Sequence, residues 1–295
     1  MFPKPVPKLL RNTYDFESKP MVKPTGFREY DARWLFNDEL NLMGVQALGM
    51  GLGTLLGEMG IKKEIVTGHD YRSYSSAIKL ALVTGLMAAG AKVHDIGLAV
   101  TPMAYFAQFE LDVPAVAMVT ASHNENGWTG VKMGAARPLT FGPDEMSRLK
   151  EIVLSAAFDL SGGGSYVFHE NFPAIYMADM TNRPKLKRPI KVIAACGNGT
   201  AGAFAPKVLE MIGADVIPMD ADLDYTFPRY NPNPEDMKML HAVAAKVRET
   251  NADVGLAFDG DGDRCGVVAN DGHEIFADKV GVMLARDISS LHRNA

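Results

Sequence analysis

From Asp38 onward the apolar positions of the chain fall into two alternating rhythms. Segments such as NDELNLMGVQALGMGLGTLLGEMG, SSAIKLALVTGLMAAG and TPMAYFAQFEL carry the spacing of a helix, and between them KEIVTG, AKVHDIG and PAVAMVTA are short apolar runs of strand type. This is the βαβ rhythm of a sheet covered by helices. A helix is expected from Pro143 to about Ser155, and the SGGGS stretch at 161–165 is expected to mark a domain boundary. The rhythm then resumes with PIKVIAAC, a helix over TAGAFAPKVLEMIG, the strand ADVIPMD, a loop FPRYNPNPED, a helix to about Thr250 and the strand VGLAFDG. In CGVVANDGHEIFA, Asn270-Asp271-Gly272 between two apolar runs predicts a hairpin, and ADKVGVMLARDISSLHRNA predicts a last helix. The pattern reads as α/β: two three-layer α/β/α domains with mixed sheets over residues 25–163 and 164–275. An extended arm over 1–24 precedes them, with a disordered tail as the alternative, and 276–295 reads as the first helix of a further, truncated domain.

Composition narrows the classes. The chain has 295 residues, 47% of them hydrophobic and 22% charged, enough to bury a core in each of two domains. No run approaches the roughly 20 apolar residues that span a bilayer, and the N-terminus, with Pro3, Pro5 and Pro7, never builds the apolar stretch of a signal peptide. A net charge of −5 with interspersed signs offers no basic field, so neither nucleic acid nor a membrane is an expected partner, and any phosphate binding must be local. Cys196 and Cys265 form no disulfide or zinc pattern, which points to the reducing cytoplasm.

Chemistry concentrates in three stretches. In LAFDGDGDRC an apolar strand runs into Asp259, Asp261 and Asp263, separated by glycines, so three carboxylates can converge on one hard cation. Asp-Gly pairs also populate ordinary surface turns, but three aspartates within five positions at the end of a buried strand repel strongly without a counter-ion. The EF-hand pattern fails, because its sixth and twelfth positions hold Arg264 and Asn270, and magnesium is favoured over a calcium cage. Arg264 beside the carboxylates can grip a phosphate in bidentate fashion. In VTASHNENGWTGVKM a strand empties into a polar loop with Ser122, His123 and Asn124, and Lys132 follows ten residues after the serine. Adjacency of Ser122 and His123 sets no triad geometry. GFREYDARW places Arg28 and Arg33 among aromatics and, alone, reads as a surface strand with solvated arginines.

Together, the GFREYDARW, TASHN and DGDGDR segments resemble the α-D-phosphohexomutases, the phosphomannomutase/phosphoglucomutase family, whose corresponding segments follow in the same order. The resemblance runs from about Phe27 to Ala285 and includes IGLAVTPMAYFA, IKVIAACGNGTAG and FPRYNPNPED. It implies that Ser122 is phosphorylated in the resting enzyme and joins Asp259, Asp261 and Asp263 around Mg²⁺. It implies catalytic roles for Ser122, Lys132, Arg33 and His123. Lys132 is similar to the family's general acid/base, assisted by the like charge of Arg33, and His123 acts by shaping the loop and touching phosphate. Arg264 and Asn124 would bind phosphate. The implied reaction interconverts hexose 1-phosphate and hexose 6-phosphate, mannose ahead of glucose, through a hexose 1,6-bisphosphate that also serves as activator.

The departures from the family pattern carry expectations of their own. Trp34 stands where the family has glycine, Glu125-Asn126-Gly127-Trp128-Thr129 replaces a proline-containing stretch, and GHDYR at 68–72 replaces GRDGR. Neither a GExSGH-like sugar loop nor an RxSxTxP-like phosphate clamp occurs in the sequence, so an incomplete chain with weak turnover is expected. The alternatives are a catalytically weak phosphosugar- or Mg²⁺-binding module, a partner of a full-length mutase, or hydrolysis of the phosphoserine. Gly197-Asn198-Gly199-Thr200-Ala201-Gly202 also satisfies the dinucleotide-binding spacing, with Asp220 at the end of the next strand, which keeps an NAD-linked enzyme as a rival. The glycines of GMGLGTLLG at 49–57 fit neither phosphate-loop spacing, and close helix packing accounts for them.

Overall fold

In the computed structural model, which describes residues 2–182 and 185–291, contacts divide the chain into two units. One comprises Met1–Ala121 with Glu125–Tyr176; the other comprises Ser122–Asn124 with Met177–Ala295. No helix among the described residues is long and apolar enough to cross a membrane.

In chain order the first unit holds α1 (Tyr14–Ser18), β1 (Ala32–Leu35), α2 (Leu42–Glu58), β2 (Glu64–His69), α3 (Ser75–Ala88), β3 (Lys92–Leu98), α4 (Thr101–Glu110), β4 (Ala115–Val119), β5 (Trp128–Ala135), α5 (Pro143–Ser155), β6 (Ser165–Phe168) and the start of α6 (Phe172–Thr181). Its six strands form one mixed sheet in the order β1-β5-β4-β2-β3-β6. The four strands from β4 to β6 are parallel, and β5 and β1 add antiparallel. Alternation sorts the side chains by face. Ala115, Ala117 and Val119 of β4 join the core cluster with α2, α3 and α5, while Val116 and Met118 are buried outside it, on the side where α4 buries Met103, Ala104 and Ala107. Helix α2 is buried almost all round, as a helix sandwiched between others must be. A Cβ on Gly49 would overlap the backbone of Leu82 and one on Gly85 that of Gln46, so these glycines let α2 and α3 approach closely.

One expectation changes here: by contacts, residues 161–165 lie inside the first unit. Gly162 and Gly163, at φ +66° and +75°, turn the chain back so that β6 adds to β3 as an edge strand, and the contacts divide only after Tyr176. Over the described residues 2–24 the arm is packed rather than tail-like, because Met21 and Val22 are fully buried. Asn41 ties it down. Its Oδ1 accepts from the backbone N–H of Met21 and of Gly44, capping α2, and its Nδ2 donates to the carbonyls of Phe16 and Lys19, all at 2.8 Å.

The second unit continues with β7 (Lys191–Ala195), α7 (Ala205–Met211), β8 (Asp215–Met219), α8 (Met237–Thr250), β9 (Val254–Phe258), β10 (Cys265–Ala269), β11 (Glu274–Ile275) and α9 (Ala277–Leu291). The sheet order is β11-β10-β9-β7-β8, with β8, β7 and β9 parallel and β10 and β11 antiparallel. Met239, Leu240, Val243, Ala244 and Val247 form the buried stripe of α8, which starts on an Asp236 cap and ends at Asn251 in the left-handed conformation. Asn270-Asp271-Gly272 joins β10 to β11 as the hairpin pattern predicts, with Gly272 N–H donating to Ala269 O at 2.9 Å.

The dinucleotide reading of residues 197–202 does not survive this geometry. After β7 the chain enters a 3-10 turn, Thr200–Ala203, before α7 begins, and Thr200 N–H donates to the Gly260 carbonyl at 3.0 Å. Asp220 accepts from Tyr230 and Arg229. The glycines serve close backbone contact, since a Cβ on Gly199 would press on Gly260 and one on Gly202 on Ala221.

Candidate active site

Strand β9 delivers Asp259, Asp261 and Asp263 onto a loop that the first of them organises. Asp259 Oδ1 accepts from the backbone N–H of Asp263 and of Arg264, both at 3.1 Å, and Gly262 N–H closes the turn on Asp259 O at 3.1 Å. Gly260 N–H donates to Pro232 O at 3.1 Å. Asp259 and Asp261 are completely buried, Asp263 is exposed, and one carboxylate oxygen from each lies within 4.8 Å of the other two. At that separation each pair of like charges costs about 3 kcal/mol for an effective dielectric of about 20. A single hard cation among the three oxygens reverses the sign of that energy. The all-oxygen donor set fits magnesium or calcium and lacks the nitrogen and sulfur ligands that select zinc.

Ser122 groups with this second unit although only Thr120 and Ala121 separate it from β4. It is fully buried, and its φ of +53° puts a non-glycine residue in the left-handed region, at a cost of about 1 to 3 kcal/mol that surrounding contacts must offset. Its Oγ donates to Asp259 Oδ2 at 3.2 Å and lies 3.3 Å from His123 Nδ1. Asn231 Nδ2 donates to the His123 carbonyl, and a Cβ on Gly260 would overlap the Ser122 carbonyl, so the turn lies against backbone on one side and an amide on the other. His123 and Asn124 are half-buried beside it.

The residues leading into the turn lie in the first unit. Ala121 N–H and Thr120 Oγ1 donate to Asp70 Oδ2 at 3.1 and 3.0 Å, and Ser75 Oγ donates to Asp70 Oδ1 at 2.5 Å. Asp70 also pairs with Arg72, both side chains 1% exposed. On the other side of the same residue, Arg33 Nη1 donates to the Ala121 carbonyl, and its Nε bonds Asp31 Oδ2 at 2.8 Å. Arg33 is thus buried, not a solvated strand arginine, whereas Arg28 is exposed. Arg33 stands opposite Gly130, which puts Lys132, two residues farther along β5, on the same face of the sheet as its diagonal neighbour. Beside Asp70, burial holds His69 below its ordinary pKa, and its neutral ring donates from Nδ1 to Asp70 O at 2.9 Å.

Of the residues expected at the site, Ser122 meets Asp259 directly, and the three aspartates converge. Arg264 is engaged elsewhere: its Nη1 forms an ion pair with Glu235 at 3.0 Å, beside an apolar cavity of about 450 Å³ lined in part by Leu240, Cys265 and Phe276. Trp34, where the family pattern has glycine, is fully buried, packs edge-on against Phe27 and donates from Nε1 to Lys23 O at 2.8 Å. Sequence reasoning missed Asp70, Arg72 and Asn231. The first two sit in GHDYR, where an acidic and a basic residue follow a buried strand, and Asn231 hides among the prolines of a loop.

Two family models match the chain: phosphoglucomutase/phosphomannomutase alpha/beta/alpha domain I over residues 24–159 and domain II over residues 174–272. A phosphomannomutase/phosphoglucomutase of Pseudomonas aeruginosa is 33% identical over 276 residues, 94% of this chain and 59% of the relative. A phosphoglucomutase of Neisseria meningitidis serogroup B is 32% identical over 268 residues, 91% of this chain and 57% of the relative. The crystal structure of a phosphoglucomutase/phosphomannomutase family protein from Burkholderia thailandensis superposes with a TM-score of 0.86 at 32% identity, covering 92% of this chain and 60% of that one. The chain therefore spans somewhat over half the length of the relatives it matches.

Proposed function

The chain belongs to the phosphoglucomutase/phosphomannomutase family, and from that premise we propose that Ser122 carries the phosphoryl group in the interconversion of hexose 1-phosphate and hexose 6-phosphate. The observation that supports this reading is the hydrogen bond from the buried Ser122 Oγ to Asp259, one of three converging carboxylates. Phosphoserine gives its phosphoryl group to the free hydroxyl of a hexose monophosphate, the resulting 1,6-bisphosphate turns over, and the other phosphate returns to Ser122. Asp259, Asp261, Asp263 and the oxygen on Ser122 would hold Mg²⁺, which would supply positive charge against the oxygens of the moving group.

The chain's own residues do the rest. Lys132 takes the proton of the sugar hydroxyl as the new P–O bond forms, and Arg33 on the same sheet face disfavours a second positive charge beside it. His123 and Asn124 border the serine and contact phosphate oxygens. Arg264, once released from Glu235, offers a bidentate fork to a phosphate. The hexose is mannose, glucose or both, since the Pseudomonas relative is named for both activities and the Neisseria relative for glucose alone.

Intact mass and peptide mapping after incubation with glucose 1,6-bisphosphate and Mg²⁺ test the reading. One phosphoryl group on Ser122, absent in Ser122→Ala and reduced in Asp261→Ala, is the expected result. A wild-type chain that stays unmodified under every condition would sink it.

A further inference from the structure

We infer that Asp70 is a positioning residue for the serine turn, holding the backbone of Ala121 so that Ser122 keeps its left-handed conformation. Four donors converge on its carboxylate: Ser75 Oγ, Arg72, Thr120 Oγ1 and Ala121 N–H. Arg33 takes the Ala121 carbonyl, so both backbone polar groups of the residue before the serine are bound by charged side chains, Arg33 itself being 5% exposed and Asp70 1%. Topology explains the meeting. Strand β2 lies between β3 and β4, parallel to both, and the order of connection reverses there, so the loops that leave the C-terminal ends of β2 and β4 emerge side by side at one end of the sheet. Asp70 begins one loop, Thr120 and Ala121 open the other, and Asp70 N–H also donates to Val119 O at 3.0 Å.

The charge on Asp70 matters for geometry more than for stability. A buried ion pair such as Asp70–Arg72 adds little net free energy over an apolar pair, but a carboxylate accepts at both oxygens, which an amide cannot do. Asparagine at 70 would turn an N–H₂ group toward part of the donor set. Ser122 would then lose the contacts that offset its positive φ, and its oxygen would spread over positions other than the one beside Asp259. A misplacement on the order of 1 Å costs about 10²-fold in a step limited by alignment.

The inference rests on the reading of Ser122 as the phosphoryl carrier, and one arm of its test does not. In the full chain carrying Asp70→Asn, hydrogen exchange at the Ala121 amide is expected to quicken by about tenfold or more while the amides of β3 keep their protection. Loading of Ser122 from glucose 1,6-bisphosphate is expected to slow about 10²-fold, with the half-saturating bisphosphate concentration within about threefold of wild type. Lys79→Met serves as the control, because Lys79 pairs with buried Asp95 at 2.5 Å in the same unit without touching Thr120 or Ala121. Equal slowing in the two variants at matched loss of Tm, or unchanged exchange at Ala121, overturns the proposal. Thr120→Val removes one contact to Asp70 without unpairing a charge and gives the same pattern in smaller measure should Asp70→Asn fail to fold. If wild-type Ser122 takes no phosphate, the mutase reading fails, and exchange at Ala121 alone decides the role of Asp70.

Discussion

Ser122 Oγ donates a 3.2 Å hydrogen bond to Asp259 Oδ2, and the other oxygen of the same carboxylate receives the backbone N–H of Asp263 and Arg264. One side chain thus ties the serine to the loop that carries the remaining two carboxylates. Anything that changes the charge on that loop is transmitted to the serine oxygen.

Magnesium should therefore stabilise this protein through the triad. Three carboxylates with oxygens within 4.8 Å of one another repel in the absence of a cation, so Tm is expected to rise with added Mg²⁺ and to fall again with chelator. Asp261→Asn should raise Tm in chelator, by removing a buried like charge, and abolish most of the Mg²⁺ response. A variant that retains the wild-type response would place the cation elsewhere.

The ion pair Arg264–Glu235 competes with the phosphate contact proposed for Arg264. Both side chains are substantially exposed, so Glu235→Gln should change stability by less than about 1 kcal/mol. Phosphosugar binding, read by calorimetry, should tighten in that variant and weaken in Arg264→Gln. Identical affinities in the three proteins would remove Arg264 from the phosphate site.

Asn41→Ala is expected to cost about 2 to 4 kcal/mol in urea unfolding. It removes the cap of α2 and leaves the Met21 amide and the Phe16 and Lys19 carbonyls without the partner that holds the N-terminal arm. Limited proteolysis should then cut within residues 2–20 well before the sheet.

Acid should weaken the edge of the first sheet through a histidine pair. His94 Nδ1 and His169 Nε2 lie 3.0 Å apart with stacked rings, an arrangement for one donor and one acceptor, not for two imidazolium ions. Burial, followed by the charge of Lys92, lowers the pKa of both. A lowered folded-state value means that the unfolded chain binds protons first. The contribution is complete above the ordinary histidine pKa of about 6.5 and is lost as pH falls below it toward the depressed folded values. The urea midpoint of wild type should drop between about pH 7 and about pH 5 by more than that of His169→Asn. Parallel profiles for the two would exclude the pair as the cause.

How far the chain could be read from its residues depended on the range of the forces involved. Helix α5 begins at Pro143 and ends at Ser155 as its local pattern predicts, and the hairpin at Asn270-Asp271-Gly272 forms where its turn residues require it. Both depend on neighbours a few positions away. The convergence of Asp259, Asp261 and Asp263 was legible for the same reason, since alternating spacing on one turn brings their oxygens together whatever the rest of the chain does.

What sequence alone determined, then, was the α/β rhythm, the acidic turn and the serine loop, each a matter of short-range periodicity or local turn chemistry. Tertiary structure decided the partners. The glycines at 161–165 became a turn onto a sheet edge because β3 offered unpaired backbone groups to Ser165–Phe168. Arg33 was drawn out of solvent by the Ala121 carbonyl 88 positions away, and Asp70 found two of its donors 50 and 51 positions along the chain because the reversal of strand order sets β2 beside β4. Hydrogen bonds of that span follow from which strands become neighbours, and strand order arises from packing the whole sheet, not from the residues that later meet.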